Sequence, residues 1–112
     1  LACAASLAVL SIYDNESLVR RAAQLGRDLI NKLREVSETN SKIKELRGKG
    51  LMIGVELSIP MAQELKHKMF DRGFLVGAVG ANTIRLLPPL TITEEELNLF
   101  HGQFVKSVME DI

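Results

Sequence analysis

The chain has 112 residues, of which 46% are hydrophobic and 25% are charged, which is typical of one compact domain and excludes intrinsic disorder as the default. Its 14 basic and 14 acidic side chains cancel, and this balance argues against a protein that binds nucleic acid or an anionic membrane. The only cysteine, Cys3, excludes an intrachain disulfide and fits a reducing, cytoplasmic location.

The first element in chain order is an Ala-rich, uncharged stretch, Leu1–Tyr13, which is too short to span a bilayer. Its apolar residues predict a helix that is buried on more than one side, with Cys3 as a small core residue rather than a nucleophile. The stretch begins without Met and without a capping Ser, Thr, Asp or Asn. We therefore interpret the sequence as a piece of a longer protein, and a trimmed natural N-terminus is the alternative.

A second helix is predicted over Glu16–Glu38, where Asp14-Asn15 offers side-chain oxygens to cap its N-terminus. Glu16 is expected in its first turn, where the helix dipole favours an acidic side chain. Apolar residues recur at spacings of three and four, which predicts one buried stripe. The members of this stripe are Leu18, Ala22, Leu25, Leu29, Leu33 and Val36.

The rest of the chain predicts four short strands and two helices. Leu51–Leu57 is apolar on both faces and is expected in the centre of the sheet, with Gly54 close to another backbone. The order α-α-β-β-α-β-β-α predicts an α+β two-layer sandwich, in which a small, mainly antiparallel sheet carries helices on one face. The remaining predicted elements are strands Ile43–Arg47, Phe74–Val79 and Thr83–Leu87, a turn at Gly48-Lys49-Gly50, helix Met61–Arg72, and a last helix capped by Thr93 and Glu96.

Few side chains suggest chemistry. His67 and His101 lie on different predicted helices, and neither has a further ligand at metal-binding spacing, so no metal site is predicted. Arg85 is the only charged residue between Arg72 and Glu94, in a predicted strand of apolar neighbours. A guanidinium in such surroundings needs an anion. It can form an ion pair with a carboxylate of this chain, such as Glu56, or a bidentate clamp on a substrate carboxylate.

Three segments together resemble the class III aminotransferases. Leu1–Leu10 resembles the helix that follows the family's Gly-Asn-Pro segment, and Arg47–Leu57 resembles its small-domain hairpin. Asn82–Ile92, which contains Arg-Leu-Leu-Pro-Pro-Leu, resembles its last strand and the Pro-Pro exit. The resemblance covers essentially the whole chain and is closest to the acetylornithine/ornithine branch.

The resemblance implies that residues 1–112 are the C-terminal small domain of a fold-type I enzyme that uses pyridoxal phosphate (PLP). Such an enzyme is a cytoplasmic homodimer that transfers an amino group from N-acetylornithine or ornithine to 2-oxoglutarate, in arginine biosynthesis. The resemblance gives Arg85 the role of binding the substrate α-carboxylate. It places the catalytic lysine and every cofactor-binding residue in a large domain outside this chain, so the isolated fragment is expected to be inactive.

The sequence leaves several alternatives open. Succinylornithine and 4-aminobutyrate are further candidate amino donors, because enzymes that use them share this domain. A free-standing module that binds small carboxylates is a second candidate function, and a non-catalytic oligomerisation module is a third.

Overall fold

A computed structural model describes residues 1–110 of the chain. Four helices and four strands follow one another in the predicted order. None of these helices is both long and apolar enough to cross a membrane. The elements are α1 (Ala2–Asn15), α2 (Leu18–Thr39), β1 (Ile43–Lys49), β2 (Met52–Leu57), α3 (Ala62–Asp71), β3 (Gly77–Val79), β4 (Thr83–Leu86) and α4 (Glu94–Met109).

The strands form one antiparallel sheet in the order β1-β2-β4-β3, and α2, α3 and α4 pack on one of its faces. The predicted α+β fold, with a small antiparallel sheet and helices on one face, is confirmed. β2 is an inner strand, as expected, but it is buried on only one face. Ile53, Val55 and Leu57 are buried, whereas Met52 and Glu56 face away from the helices.

The core lies between the sheet and the helices. The stripe predicted for α2 is buried from Leu18 to Leu33, with Val36 partly buried against it. In α4, Phe100 stacks on Phe104 with ring centroids 5.4 Å apart. The capping box predicted at the start of α4 is confirmed. Apolar periodicity therefore located the core face of α2 correctly.

A close backbone contact sets the distance between α2 and the sheet. A Cβ atom on Gly26 of α2 would lie 1.8 Å from the carbonyl oxygen of Gly50, so a larger residue there would force α2 away from the sheet. Gly50 turns the chain between β1 and β2 with a φ of +57°, a conformation that favours glycine. The turn is thus later than predicted, because Gly48 and Lys49 still pair with β2.

The prediction for the first helix is wrong in its packing. α1 buries none of its residues, and Cys3 is exposed rather than part of the core. Apolar composition predicted burial, but the described residues place no second layer around this helix. The junction also differs, because α2 begins after Ser17, at φ +50° and without a side-chain cap, so neither Asp14-Asn15 nor Glu16 has its predicted role.

β3 is shorter than predicted, because Phe74–Val76 does not pair with another strand. Its partner β4 ends at Leu86, just before Pro88-Pro89, and proline has no N–H to donate to a ladder. Phe74 instead packs edge-on against Phe100, with ring centroids 5.6 Å apart. Phe74 thus packs against a helix instead of pairing within the sheet as expected.

Candidate functional site

The face of the sheet opposite the helices carries the candidate site, and we call it the open face. Strand register brings Arg47, Gly54, Arg85 and Gly77 into one row across β1, β2, β4 and β3. Directly paired residues of adjacent strands point to the same side of a sheet, so both arginines lie on the open face. Two of the four residues in this row, Gly54 and Gly77, have no side chain, so the arginine side chains can lie across them.

Arg85 is exposed in the middle of this row. Its neighbours along β4, Ile84 and Leu86, are buried on the helical face and fix the strand beneath it. Its Nε atom lies 3.4 Å from the position that a Cβ on Gly77 would take, so the side chain lies across that glycine. The fold therefore holds the backbone of Arg85 rigidly and leaves its guanidinium accessible.

Glu56 is not the partner of Arg85. The Glu56 carboxylate pairs with Lys44 Nζ at 3.4 Å and with Arg47 Nη1 at 3.5 Å. Within residues 1–110, Arg85 takes part in no ion pair and in no side-chain hydrogen bond. The interpretation of Arg85 as an ion-pair partner of Glu56 is therefore wrong. The premise that Arg85 is surrounded by apolar groups and needs an anion, from which both interpretations started, also fails, because Arg85 is exposed rather than buried.

Arg21 of α2 fixes the chain just beyond the site. Its guanidinium donates to the carbonyl oxygen of Leu90, with Nη1 at 2.7 Å, and to that of Ile92. These bonds hold the segment that follows Pro88-Pro89 against the helical layer. Sequence reasoning missed this role, because an arginine on the polar face of a helix carries no sign of a partner about 70 residues away.

An apolar groove of about 470 Å³ adjoins the end of β4. Its lining includes Phe74, Leu87, Pro88, Pro89 and Phe100, and it does not include Arg85. A carboxylate would find no cation there among these lining residues. The groove is therefore separate from the charged row on the open face.

The two histidines stay apart, on α3 and α4. His67 is exposed, with Nδ1 2.8 Å from the carbonyl oxygen of Gln63. His101 is half-buried, and burial together with the nearby Lys32 charge lowers its pKa. Within residues 1–110, no three His, Cys, Asp or Glu side chains form a group that could hold a metal ion.

The described residues do not fit a PLP site. Lys49 and Lys66 are exposed, and Lys68 pairs with Glu110 at 3.4 Å, so none of these lysines is the desolvated amine that a Schiff base needs. What the open face offers chemically is the accessible guanidinium of Arg85, which forms no ion pair within residues 1–110. Such a group binds and orients a carboxylate through two parallel N–H···O bonds.

Comparison with known proteins identifies relatives of this chain. The sequence profile of a family described as aminotransferase class III matches residues 1–108. The ornithine aminotransferase of Bacillus cereus (strain Q1) is 41% identical over 109 residues, which cover 97% of this chain and 26% of that protein. The chain therefore spans about a quarter of the length of the curated relatives it matches.

Solved structures agree with this relationship. An acetylornithine aminotransferase from Elizabethkingia anophelis has a TM-score of 0.91 and 32% identity, covering 98% of this chain and 30% of that one. A phospholyase from Arthrobacter, in complex with phosphoethanolamine, also has a TM-score of 0.91, at 28% identity, covering 97% of this chain and 28% of that one. The same architecture thus occurs in proteins that are named for different reactions.

Proposed function

The chain belongs to the class III aminotransferase family, and we propose that it is the C-terminal small domain of a PLP-dependent aminotransferase. The reaction we propose is amino transfer from N-acetylornithine or ornithine to 2-oxoglutarate, in arginine biosynthesis. The names of the relatives support this substrate class. The observation that carries the proposal is the accessible guanidinium of Arg85, which no carboxylate of residues 1–110 engages.

The proposed role of Arg85 is to bind the α-carboxylate of the substrate. This group is present in the acceptor 2-oxoglutarate and in the donors N-acetylornithine and ornithine, so one arginine can bind both the acceptor and the donor. The planar fork fixes two oxygens at once and thereby sets the direction of the attached carbon. This chain contributes orientation, and the electron sink belongs to PLP bound elsewhere in the parent enzyme.

We further propose that a large domain of the same polypeptide holds PLP and covers α1. Leu7 and Leu10 of this helix are 65% and 57% exposed, although helices with apolar residues on all sides are normally buried. On this proposal the parent is a cytoplasmic homodimer. The isolated chain has no turnover, since its lysines do not fit the cofactor.

Substitution of Arg85 by lysine in the full-length enzyme tests the proposed function. Lysine keeps the positive charge but loses the bidentate fork. We expect kcat/KM to fall by about 30- to 1,000-fold, or roughly 2–4 kcal/mol of transition-state stabilisation. The melting temperature should change little, because Arg85 is exposed. Steady-state kinetics with N-acetylornithine, ornithine, succinylornithine and 4-aminobutyrate, each against 2-oxoglutarate, measure the effect and identify the donor.

Two outcomes contradict the proposal. One is an unchanged kcat/KM in the Arg85→Lys enzyme, which removes Arg85 as a substrate ligand. The other is a full-length protein that transfers no amino group from any of the four donors. A carboxylate-binding module without catalysis predicts instead that the 112-residue chain alone binds 2-oxoglutarate in calorimetry.

A further inference from the structure

Glu56 lies one diagonal step from Arg85 on the open face. It pairs in register with Thr83 of β4, and Arg85 is two residues further along the same strand. Diagonal neighbours of this kind are roughly 7–8 Å apart along the backbone, a distance that glutamate and arginine side chains can bridge. The sheet therefore offers Arg85 an internal carboxylate that would compete with a substrate.

Two cations of β1 engage Glu56 instead. Arg47 Nη1 lies 3.5 Å from Glu56 Oε1, and Lys44 Nζ lies 3.4 Å from Glu56 Oε2. The side chain of Lys44 is 66% exposed and that of Arg47 is 49% exposed, so water screens the lysine more strongly. Arg47 is thus the more effective of the two partners. Arg47 Nη1 also lies 3.4 Å from Glu45 Oε2, so its guanidinium lies between the carboxylates of Glu45 and Glu56.

The absence of a side chain at Gly54 lets the Arg47 side chain reach Glu56. Arg47 and Gly54 pair directly in register, and Arg47 Cγ lies 3.6 Å from the position that a Cβ on Gly54 would take. The φ of Gly54 is not positive, so its backbone conformation does not require glycine. The missing side chain instead lets the stem of Arg47 lie across β2.

We propose that Arg47 is a positioning residue that holds Glu56 away from Arg85 and so keeps Arg85 free for the substrate carboxylate. This inference rests on the proposed function of Arg85 and deepens it. Without Arg47, the Glu56 carboxylate keeps only an exposed lysine and gains by pairing with Arg85. An internal carboxylate bound to Arg85 competes with the substrate, so the loss of Arg47 should raise KM and leave kcat nearly unchanged.

Arg47→Gln in the full-length enzyme is the first variant. We expect KM for 2-oxoglutarate and for the amino donor to rise about fivefold, which corresponds to about 1 kcal/mol, while kcat stays within about twofold. Lys49→Gln is the matched control, because it removes a cation from the same strand and the same face. Lys49 takes part in none of the ion pairs described for residues 1–110, and KM should stay near its original value.

Adding Glu56→Gln to Arg47→Gln separates this role from a structural one. The double variant has no carboxylate at position 56 to occupy Arg85, so KM should return to within about twofold of the original value. If Arg47 only stabilises β1, the added Glu56→Gln substitution does not lower the raised KM. A double variant that keeps the raised KM of Arg47→Gln overturns the proposal.

Chemical modification of Arg85 gives a second readout that needs no turnover. Phenylglyoxal modifies unpaired guanidinium groups faster than paired ones, and peptide mass spectrometry distinguishes Arg85 from Arg47. We expect slower modification of Arg85 in Arg47→Gln and the original rate in the double variant. Equal rates in all three proteins overturn the proposal. An unchanged kcat/KM in Arg85→Lys would instead overturn the proposed function, and the modification rates would still decide the role of Arg47.

Discussion

The two faces of the sheet use the same four strands for different purposes. On the helical face, Ile53, Val55 and Ile84 are almost completely buried under α2, α3 and α4. On the open face, Arg85 and Arg47 stand beside glycines and stay accessible. Buried apolar area stabilises the fold, whereas an accessible cation contributes little to stability. The chain therefore separates the apolar residues that stabilise the sheet from the charged residues that stay accessible.

This separation makes stability and activity independently adjustable. Residues alternate between the two faces along a strand, so neighbours only one position apart belong to different environments. A substitution on the helical face should change the free energy of unfolding, and a substitution on the open face should change ligand binding.

The largest expected effect is that of Val55→Asp on the helical face. Val55 is fully buried, and a carboxylate there would have no counter-ion. We expect a loss of about 3–5 kcal/mol in the free energy of unfolding. Met52→Asp on the same strand is the control, because Met52 is 60% exposed on the open face and should tolerate the charge within about 1 kcal/mol. Urea denaturation measures both, and equal losses would contradict the contrast between the faces.

A smaller loss of stability is expected from a substitution of Gly26, the glycine of α2 that faces the turn between β1 and β2. In Gly26→Ala the new methyl group would lie 1.8 Å from the carbonyl oxygen of Gly50, so α2 must move away from the sheet. Overpacking of this kind costs about 1–3 kcal/mol. Gly102→Ala on α4 is the control, since nothing lies within 4 Å of its Cβ position, and it should stabilise by about 0.5–1 kcal/mol. Thermal unfolding should shift in opposite directions for the two variants.

The smallest effect on stability is expected from the ion pair between Arg72 and Glu110, which joins the C-terminal ends of α3 and α4. Arg72 of the α3 C-terminus donates from Nη2 to Glu110 Oε1 at 2.6 Å, and this bond lowers the pKa of the Glu110 carboxyl below its ordinary value. A lowered pKa stabilises the fold above the unfolded-state value near 4.5, and the contribution is lost as the pH falls through the folded-state pKa. The stability difference between the protein and Glu110→Gln should therefore be constant at neutral pH and shrink below about pH 4.5.

Thermal denaturation between pH 7 and pH 3 measures that difference. Arg72→Gln serves as the control, because without the guanidinium the Glu110 contribution and its pH dependence should both decrease. A stability difference between the protein and Glu110→Gln that grows as the pH falls would contradict this prediction.

The fold of this chain was predictable from sequence to a large extent. Spacings of three and four located the buried stripe of α2, and the pattern Thr93 to Glu96 located the start of α4. These features depend on local chemistry, so a short segment contains all the information needed. Arg85 was also singled out from sequence, as the lone charge in an apolar segment.

Other features depended on which segments meet in space. Leu1–Tyr13 reads as a buried helix, yet it is exposed in the described residues because burial requires a partner surface and not only apolar composition. Phe74–Val76 reads as a strand, yet it stays unpaired because the neighbouring strand ends before the prolines. Likewise, charge alone suggested Glu56 as the partner of Arg85, but the register of β1 places Lys44 and Arg47 close enough to Glu56 to form ion pairs with it.

The sequence by itself determined the order of the elements, the apolar faces of the helices and the presence of one isolated arginine, since propensity, periodicity and composition are properties of short segments. The tertiary structure alone decided the strand order β1-β2-β4-β3, the row of Arg47, Gly54, Arg85 and Gly77, and the freedom of Arg85 from Glu56. Register brings together residues up to 38 positions apart, such as Arg47 and Arg85, and one step of slippage would turn every side chain to the other face. No local pattern encodes that choice, because it follows from the packing of all strands and helices at once.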